Sequence, residues 1–367
     1  MIWGLIMSDL ESNYCYSFPA VRGQQAGKPF YIATCPLRLI PRIFMYDEEE
    51  VPVELRAQRT LNKARIPEMA RYLVESPHDY VFSAITASIG AEIDFMEVEK
   101  NSNIGSLKVP MDAQILINDG QHRRAAIEEA LKERPELSQD NIAVLFFVDE
   151  GLKRSQQMFA DLNKYAVRPS PSLGTMYDHR DQASELARYL ALNTKPFAGF
   201  TEFERSTIAV KSSKLFTLSG IKQANRVLLG KGTKEGFDNE ERQVAAKFWE
   251  ALNIYMPEWI QVQNKQLSAA EFRQEYISAH GIGLQALALV GKELLKLNDF
   301  EKHKKFELIA NINWLKSNPA WTHRAMQHGR LSKAMSNIFL TSMQIKREIG
   351  LRLSKEDVQK ENEYLDA

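Results

Sequence analysis

Ile115-Leu116-Ile117-Asn118-Asp119-Gly120-Gln121-His122-Arg123-Arg124-Ala125-Ala126-Ile127 is the stretch that decides how this chain is read. An apolar run breaks at Asp-Gly and restarts with helical spacing headed by three basic side chains, which predicts a strand, a tight turn and a helix N-terminus. The first turn of a helix carries unpaired N–H groups and a partial positive charge. His122, Arg123 and Arg124 conflict with that charge unless an anion sits among them, and a phosphate removes the conflict. Ile127, Ala130 and Leu131 mark the buried face of the helix, and Arg123 shares it, with its Cα–Cβ bond tilted back toward the N-terminus. Gly120 permits a sharp turn and close approach of a ligand, while Asp119 has the chemistry to hold a divalent cation or a water beside phosphates. The same residues also have a plain structural reading, with Asp119 as an N-cap for the amides of Gln121 and His122 and the arginines as solvated surface.

Lys and Arg number 47 and Asp and Glu 47 in 367 residues, so contact with a polyanion has to come from local segregation of charge. A chain of this length buries more than one core, and two domains is the default expectation. Cys15 and Cys35 stand far apart without C-x-x-C spacing, which suggests neither a zinc site nor a disulfide framework and favours a cytoplasmic protein. The opening Met1 to Met7 is apolar but too short to span a bilayer, and it lacks the basic flank and cleavage site of a signal peptide. Met7 is a second candidate start, and no membrane association is expected.

Short β-rich runs bounded by Pro, Gly or Asp predict strands at Tyr31 to Ile40, Tyr80 to Ile89, Ala113 to Asn118 and Ile142 to Val148. Helical patterns occupy Pro52 to Val74, with Pro67 opening a second helix, and Gln121 to Arg134. From Ala183 onward amphipathic segments dominate, at Glu240 to Tyr255, Ala269 to Leu297, Lys304 to Leu315 and Leu331 to Arg352. The expected class is α+β, with an α+β domain over residues 1–180 and a mainly α-helical domain over residues 181–367.

The charges are segregated in that second half. Between Arg205 and Lys234, and again between Lys316 and Arg347, no acidic residue occurs. Lys211, Lys214 and Lys222 in the first stretch and Arg324, Arg330 and Lys333 in the second are candidates for phosphate-backbone contacts, with His323 and His328 adding to the second. Two solvated helix faces balanced by acidic neighbours are the alternative. Trp321 is a candidate for base stacking because it lies inside a basic stretch, whereas Trp249, Trp259 and Trp314 read as core. There is no H-E-x-x-H and no Walker-type loop. His179, flanked by Asp178 and Asp181, reads either as a general base or as part of a surface charge cluster.

Asp119 to Arg123 spells the DGQHR signature, and Phe159-Ala160-Asp161-Leu162-Asn163-Lys164-Tyr165-Ala166-Val167-Arg168-Pro169 looks like its companion. Together with Phe18 to Gly23, Cys35 to Pro41 and Tyr177 to Asp181, these strings resemble the DndB family of bacterial DNA sulfur modification systems over about half the chain. The resemblance implies a domain like those of ParB and sulfiredoxin, in which a turn-plus-helix box contacts nucleotide phosphates. Gly120 matches the glycine of that box and Arg123 its phosphate-binding arginine. Gln121 stands where ParB-type CTPases carry Glu and sulfiredoxins the reactive Cys. An amide brings no charge to a metal and is no nucleophile, so thiol phosphoryl chemistry is excluded at that position. Asn163 is similar to the asparagine that helps hold the nucleotide-bound metal in ParB-like proteins, at a different spacing to Arg168. Arg168, pushed into an extended conformation by Pro169, either reaches sideways toward a phosphate or simply ends the preceding helix.

The function this implies is that of a DNA-binding accessory or regulatory protein of a DNA phosphorothioation system, repressing transcription of the modification genes. Its expected partners are double-stranded DNA and other DNA sulfur modification proteins. The alternative is a nucleoside triphosphate hydrolase, with ATP and Mg2+ as ligands. In that reading Asp119 holds the metal or orients water, His122 donates to the leaving or bridging oxygen, and Gly120, Gln121, Arg123 and Arg124 face the phosphates. A scaffold for partner modification proteins with a vestigial pocket is a further alternative.

Overall fold

The computed structural model describes residues 14–44, 63–148, 157–158, 161–162, 169–233 and 235–366. The chain forms two compact units, Met1–Val167 and Arg168–Ala367, so the divide falls ahead of the composition change near Arg180.

The first unit is built on seven strands: β1 (Cys15–Gln25), β2 (Lys28–Pro36), β3 (Ile85–Ile89), β4 (Asp94–Glu97), β5 (Ile104–Pro110), β6 (Ile115–Asp119) and β7 (Asn141–Val148). They lie in the order β4-β5-β1-β2-β7-β3-β6. Every neighbouring pair is antiparallel except β3 with β7. Alternate residues of β2, Tyr31, Ala33 and Cys35, are buried, as are Ile142, Val144 and Phe146 of β7, so one face of the sheet carries the core by simple period-2 patterning. All five residues of β3 are buried, which matches a strand paired on both sides, parallel to β7 and antiparallel to β6. Helices α1 (Ile40–Ile43), α2 (Ile66–Glu75) and α3 (Gln121–Glu133) accompany the sheet. Pro67 occupies the first turn of α2, where the missing N–H costs nothing.

The second unit is helical: α4 (Pro171–Tyr177), α5 (Gln182–Asn193), α6 (Leu218–Leu228), α7 (Asn239–Ile254), α8 (Pro257–Gln263), α9 (Ala269–Glu275), α10 (Gly281–Leu294), α11 (Asp299–Ile309), α12 (Met335–Glu348) and α13 (Lys355–Asp366). Two short strand pairs complete it: β8 (Thr201–Glu202) with β9 (Phe216–Thr217), and β10 (Met326–Gln327) with β11 (Arg330–Leu331). The starts of its helices are written in capping residues. Asp238 with Glu241 and Ser268 with Glu271 form reciprocal capping boxes, and Asp181, Thr217 and Asn298 cap by side chain. Each such cap contributes about 1 kcal/mol. The segment expected as one helix from Ala269 to Leu297 is split at Tyr276–His280. There Ile277 donates to the carbonyl of Trp314 (2.9 Å) and Tyr276 bridges to Leu315. These tertiary hydrogen bonds outcompete helical continuation.

Candidate functional site

The strand, turn and helix read from Ile115 to Ile127 are present as β6, Gly120 and α3. Gly120 is the N-cap of α3 with φ of +117°, a conformation that side-chain-bearing residues rarely adopt, and no side chain caps the helix. Asp119 therefore is not the cap. Its carboxylate turns to Arg123, accepting from Nη2 at 2.6 Å, and the same nitrogen reaches the carbonyl of Ala84 at 3.1 Å. The guanidinium of Arg123 thus lies across the α-carbon of Gly120, and its buried Nε has no hydrogen-bond partner. Arg124 faces elsewhere: it donates to the carbonyls of Phe44 (3.1 Å) and Pro41 (2.9 Å) and pairs with Glu128, bracing α3 against the end of α1. Gln121 is buried and donates to the carbonyl of Ile117 at 3.2 Å, which fixes the turn. His122 is half-buried. The cationic excess at this helix start is thus balanced inside the chain, by Asp119 for Arg123 and by Glu128 and two carbonyls for Arg124.

No side chain caps the first turn of α3, and the Nε of Arg123 is buried beside it without a hydrogen-bond partner. Asp119 keeps one carboxylate oxygen off Arg123, a donor suited to a magnesium ion that takes most of its ligands from water and phosphate. Among the described residues no group of three or more His, Cys, Asp or Glu side chains is placed to hold a metal without such help. Asn163 and Arg168 lie outside the described residues, as do Met1 and Met7. Because a Cβ on Gly120 would meet Ile85 Cγ1 at 3.0 Å and Arg123 Nη2 at 3.2 Å, Gly120→Ala is expected to cost about 1–3 kcal/mol in urea unfolding. An unchanged midpoint would show that the turn is not strained.

The six basic residues nominated for DNA contact divide. Lys222 pairs with Asp181 (2.5 Å), Arg324 pairs with the buried Glu361 (2.6 Å), and Lys214 donates to the carbonyl of Gly199 (2.9 Å). Lys211, Arg330 and Lys333 are exposed. Arg330 sits on the β10–β11 hairpin, whose connecting His328 and Gly329 both take positive φ (48° and 73°) and are exposed, as a tight two-residue turn demands. Trp321 does not offer its ring to a base. It is 1% exposed and stacks on Trp314 at 5.6 Å, with its indole N–H on the carbonyl of Asn313 (2.9 Å), so it is a core residue beneath the hairpin. Arg324 and Asn337 also pin the hairpin: Arg324 donates to the carbonyl of Leu340 (2.9 Å) and Asn337 to that of Arg324 (2.6 Å).

Sequence reading missed Arg273 and His280. Both fell inside an apparently continuous amphipathic segment. Arg273 is 8% exposed and gathers a loop, donating to the carbonyls of Ala209 (3.1 Å), Val210 (2.8 Å), Ser212 (2.8 Å) and Lys214. The His280 ring donates to the carbonyl of Arg273 at 2.6 Å. The available signal was the Ser278-Ala279-His280-Gly281-Ile282-Gly283 run, whose small residues interrupt the helix and restart it.

A mainly antiparallel α/β unit bearing a strand–glycine–helix motif, followed by a helical unit, is the class of protein these features define. The chain belongs to the DndB family, DNA-sulfur modification-associated proteins, which it matches over residues 18–352. No curated protein and no solved structure matches it. Among the described residues no helix is long and apolar enough to cross a membrane. Family membership places the chain in DNA sulfur modification.

Proposed function

We propose that this chain is a cytoplasmic, DNA-binding regulatory protein of a DNA phosphorothioation system, gripping duplex DNA through its helical unit and repressing the modification genes together with partner modification proteins. The observation that carries the reading is the exposed β10–β11 hairpin. It presents His328 and Arg330, is followed by Lys333, and lies in a stretch from Lys316 to Arg347 without an acidic residue. A two-stranded ribbon is a shape that enters a major groove, and its cations gain affinity by releasing counterions from phosphates. Lys222 and Arg324 contribute less to this reading, because each already pairs with a carboxylate of the same chain. Arg330→Ala is expected to weaken binding of a labelled duplex about equally for unrelated sequences and to lower the salt slope by about 1. Fluorescence anisotropy that gives the same affinity and slope as the parent chain would overturn the hairpin's role.

A second reading concerns the first unit and is favoured by the uncapped start of α3 and the unpartnered Nε of Arg123. There a ParB/sulfiredoxin-like box would hold a nucleoside triphosphate, ATP with Mg2+, with Gly120 and Arg123 on its phosphates and Asp119 on the metal. In an ATPase built this way His122 would serve as the proton donor. Arg123→Ala is expected to abolish magnesium-dependent ATP binding measured by calorimetry, and unchanged binding would remove the motif from that role.

A further inference from the structure

The second unit contains a cavity of about 530 Å³, of whose lining the DNA-binding reading uses Lys333 alone, within the range of small-molecule sites. Two helices begin at its wall. Thr217 and Gly220, at the start of α6, line one side, and His280, Gly281 and Leu284, at the start of α10, line the other. No side chain caps α10, whose backbone ladder opens only with Leu284 donating to the carbonyl of His280 (3.1 Å). The amides preceding Leu284 have no partner within the helix.

Charge converges on the same place. Lys333 and Arg273 line the cavity, and no carboxylate does. Arg273 is almost wholly buried, and the partners holding its guanidinium are backbone carbonyls, not a counter-ion. Behind it Lys316 donates to the carbonyls of Arg273 (2.6 Å) and Gln274 (2.9 Å). Glu275 offsets Lys316 from outside the cavity wall, but Arg273 and Lys333 line the cavity with no carboxylate among them, and burying such charge is costly unless an anion joins it. His280 reports the potential: burial first, then Lys316, Arg273 and Lys333, push its ring down to about 4, so it is neutral at pH 7. Ile208, Leu215, Phe216 and Ala270 give the wall an apolar part, Gln274 adds an amide, and the hydroxyls of Ser206 and Thr207 stand at the exposed loop.

We propose that this cavity binds a small organic phosphate of nucleotide size, its phosphate between the first turn of α10 and Lys333 and its uncharged body against Ile208, Phe216 and Ala270. The site is separate in sequence and in structural unit from the Asp119–Arg124 motif, and it stands whether or not that motif holds ATP.

The test is calorimetric titration of the full chain, in EDTA to silence magnesium-dependent sites, with AMP, GMP, CMP and dTMP, and with the matching nucleosides. At least one monophosphate is expected to bind and its nucleoside not. Thr207→Glu, which puts a carboxylate at the mouth, and Lys333→Gln are each expected to weaken that binding by about tenfold or more. Both positions are exposed, so unchanged thermal unfolding of the free variants is expected and confirms that the fold is intact. Arg123→Ala is expected to leave the affinity as it was. Binding by none of the four monophosphates overturns the proposal. So does binding that survives Thr207→Glu and disappears with Arg123→Ala, which would assign the ligand to the first unit. A short oligonucleotide that binds where the mononucleotides do not would assign the phosphate to DNA and likewise sink it. Loss of duplex binding by Arg330→Ala with monophosphate binding intact would separate this site from the DNA interface.

Discussion

Glu361→Ala is expected to lower the stability of the helical unit by about 3–5 kcal/mol, the cost of leaving buried guanidinium charge unpaired. Glu361 is 1% exposed and receives hydrogen bonds from both Arg324 and Arg347. The figure falls toward the lower end because the Arg347 side chain is 41% exposed and still reaches water, whereas that of Arg324 is 14% exposed. For a unit of this size that is a fall of roughly 6–20 °C in thermal midpoint. Burial alone would push the Glu361 carboxyl up, but the hydrogen bonds from Arg347 and Arg324 overcome it and hold it below the ordinary range. Its stabilisation is therefore complete above the unfolded value of 4.5 and is lost as pH falls through the lower folded value. His280 acts earlier on the same limb. Its folded value is depressed from 6.5 to about 4, so the unfolded chain takes up the proton first and stability declines as pH drops from 6.5 toward 4. The parent chain should show both declines in an acid titration of urea stability, and Glu361→Ala a smaller second one, to which Asp181, also held below its ordinary range beside Lys222, still contributes. A variant with an unchanged midpoint at pH 7 would contradict the buried network.

Trp321→Ala is the second large effect, about 3–5 kcal/mol for removing a fully buried indole. The ring is lost from a near-parallel stack on Trp314, with an interplanar angle of 10°, and the carbonyl of Asn313 loses its N–H donor. Because Trp321 supports the chain entering the hairpin, DNA affinity should fall only as far as the hairpin loosens, and it should recover with Trp321→Phe, which keeps an apolar ring in the stack. A base-stacking tryptophan would behave oppositely, with stability unchanged and affinity reduced by the alanine variant. Chemical denaturation followed by anisotropy on the same preparations separates the two.

The parts of the fold that were legible share one property: the signal is local. The apolar run to Asp119, the glycine and the helical spacing after it all lie within thirteen residues, and they form β6, Gly120 and α3. Pro67 announced the start of α2 in the same way. The longest strand, β1, escaped because Pro19 and Gly23 interrupt it and only Phe18 and Ala20 of its residues are fully buried. Strand β5 was readable in principle, since Gly105, Leu107 and Val109 alternate as buried residues. Pairing of charges was not readable. Asp181 and Lys222 lie 41 residues apart in the chain, and Arg324 and Glu361 lie 37 apart. Those separations hid the carboxylate partners of two residues that the sequence offers for phosphate contact. At α3 two arginines stand at a positive helix end, and Asp119 and Glu128 meet their charge at close range. The charge cluster around Arg273 arises from tertiary capture of loop carbonyls, which no local pattern encodes.

The central claim is that the helical unit of this DndB-family chain holds duplex DNA through the cations of its acid-free segments. The most direct measurement is the affinity of the full chain for a labelled duplex between 50 and 200 mM salt. The account predicts binding whose logarithm falls linearly with the logarithm of salt concentration, with a slope of about −0.9 for each phosphate contacted. No binding at low salt, or binding that is flat across the series, would contradict it.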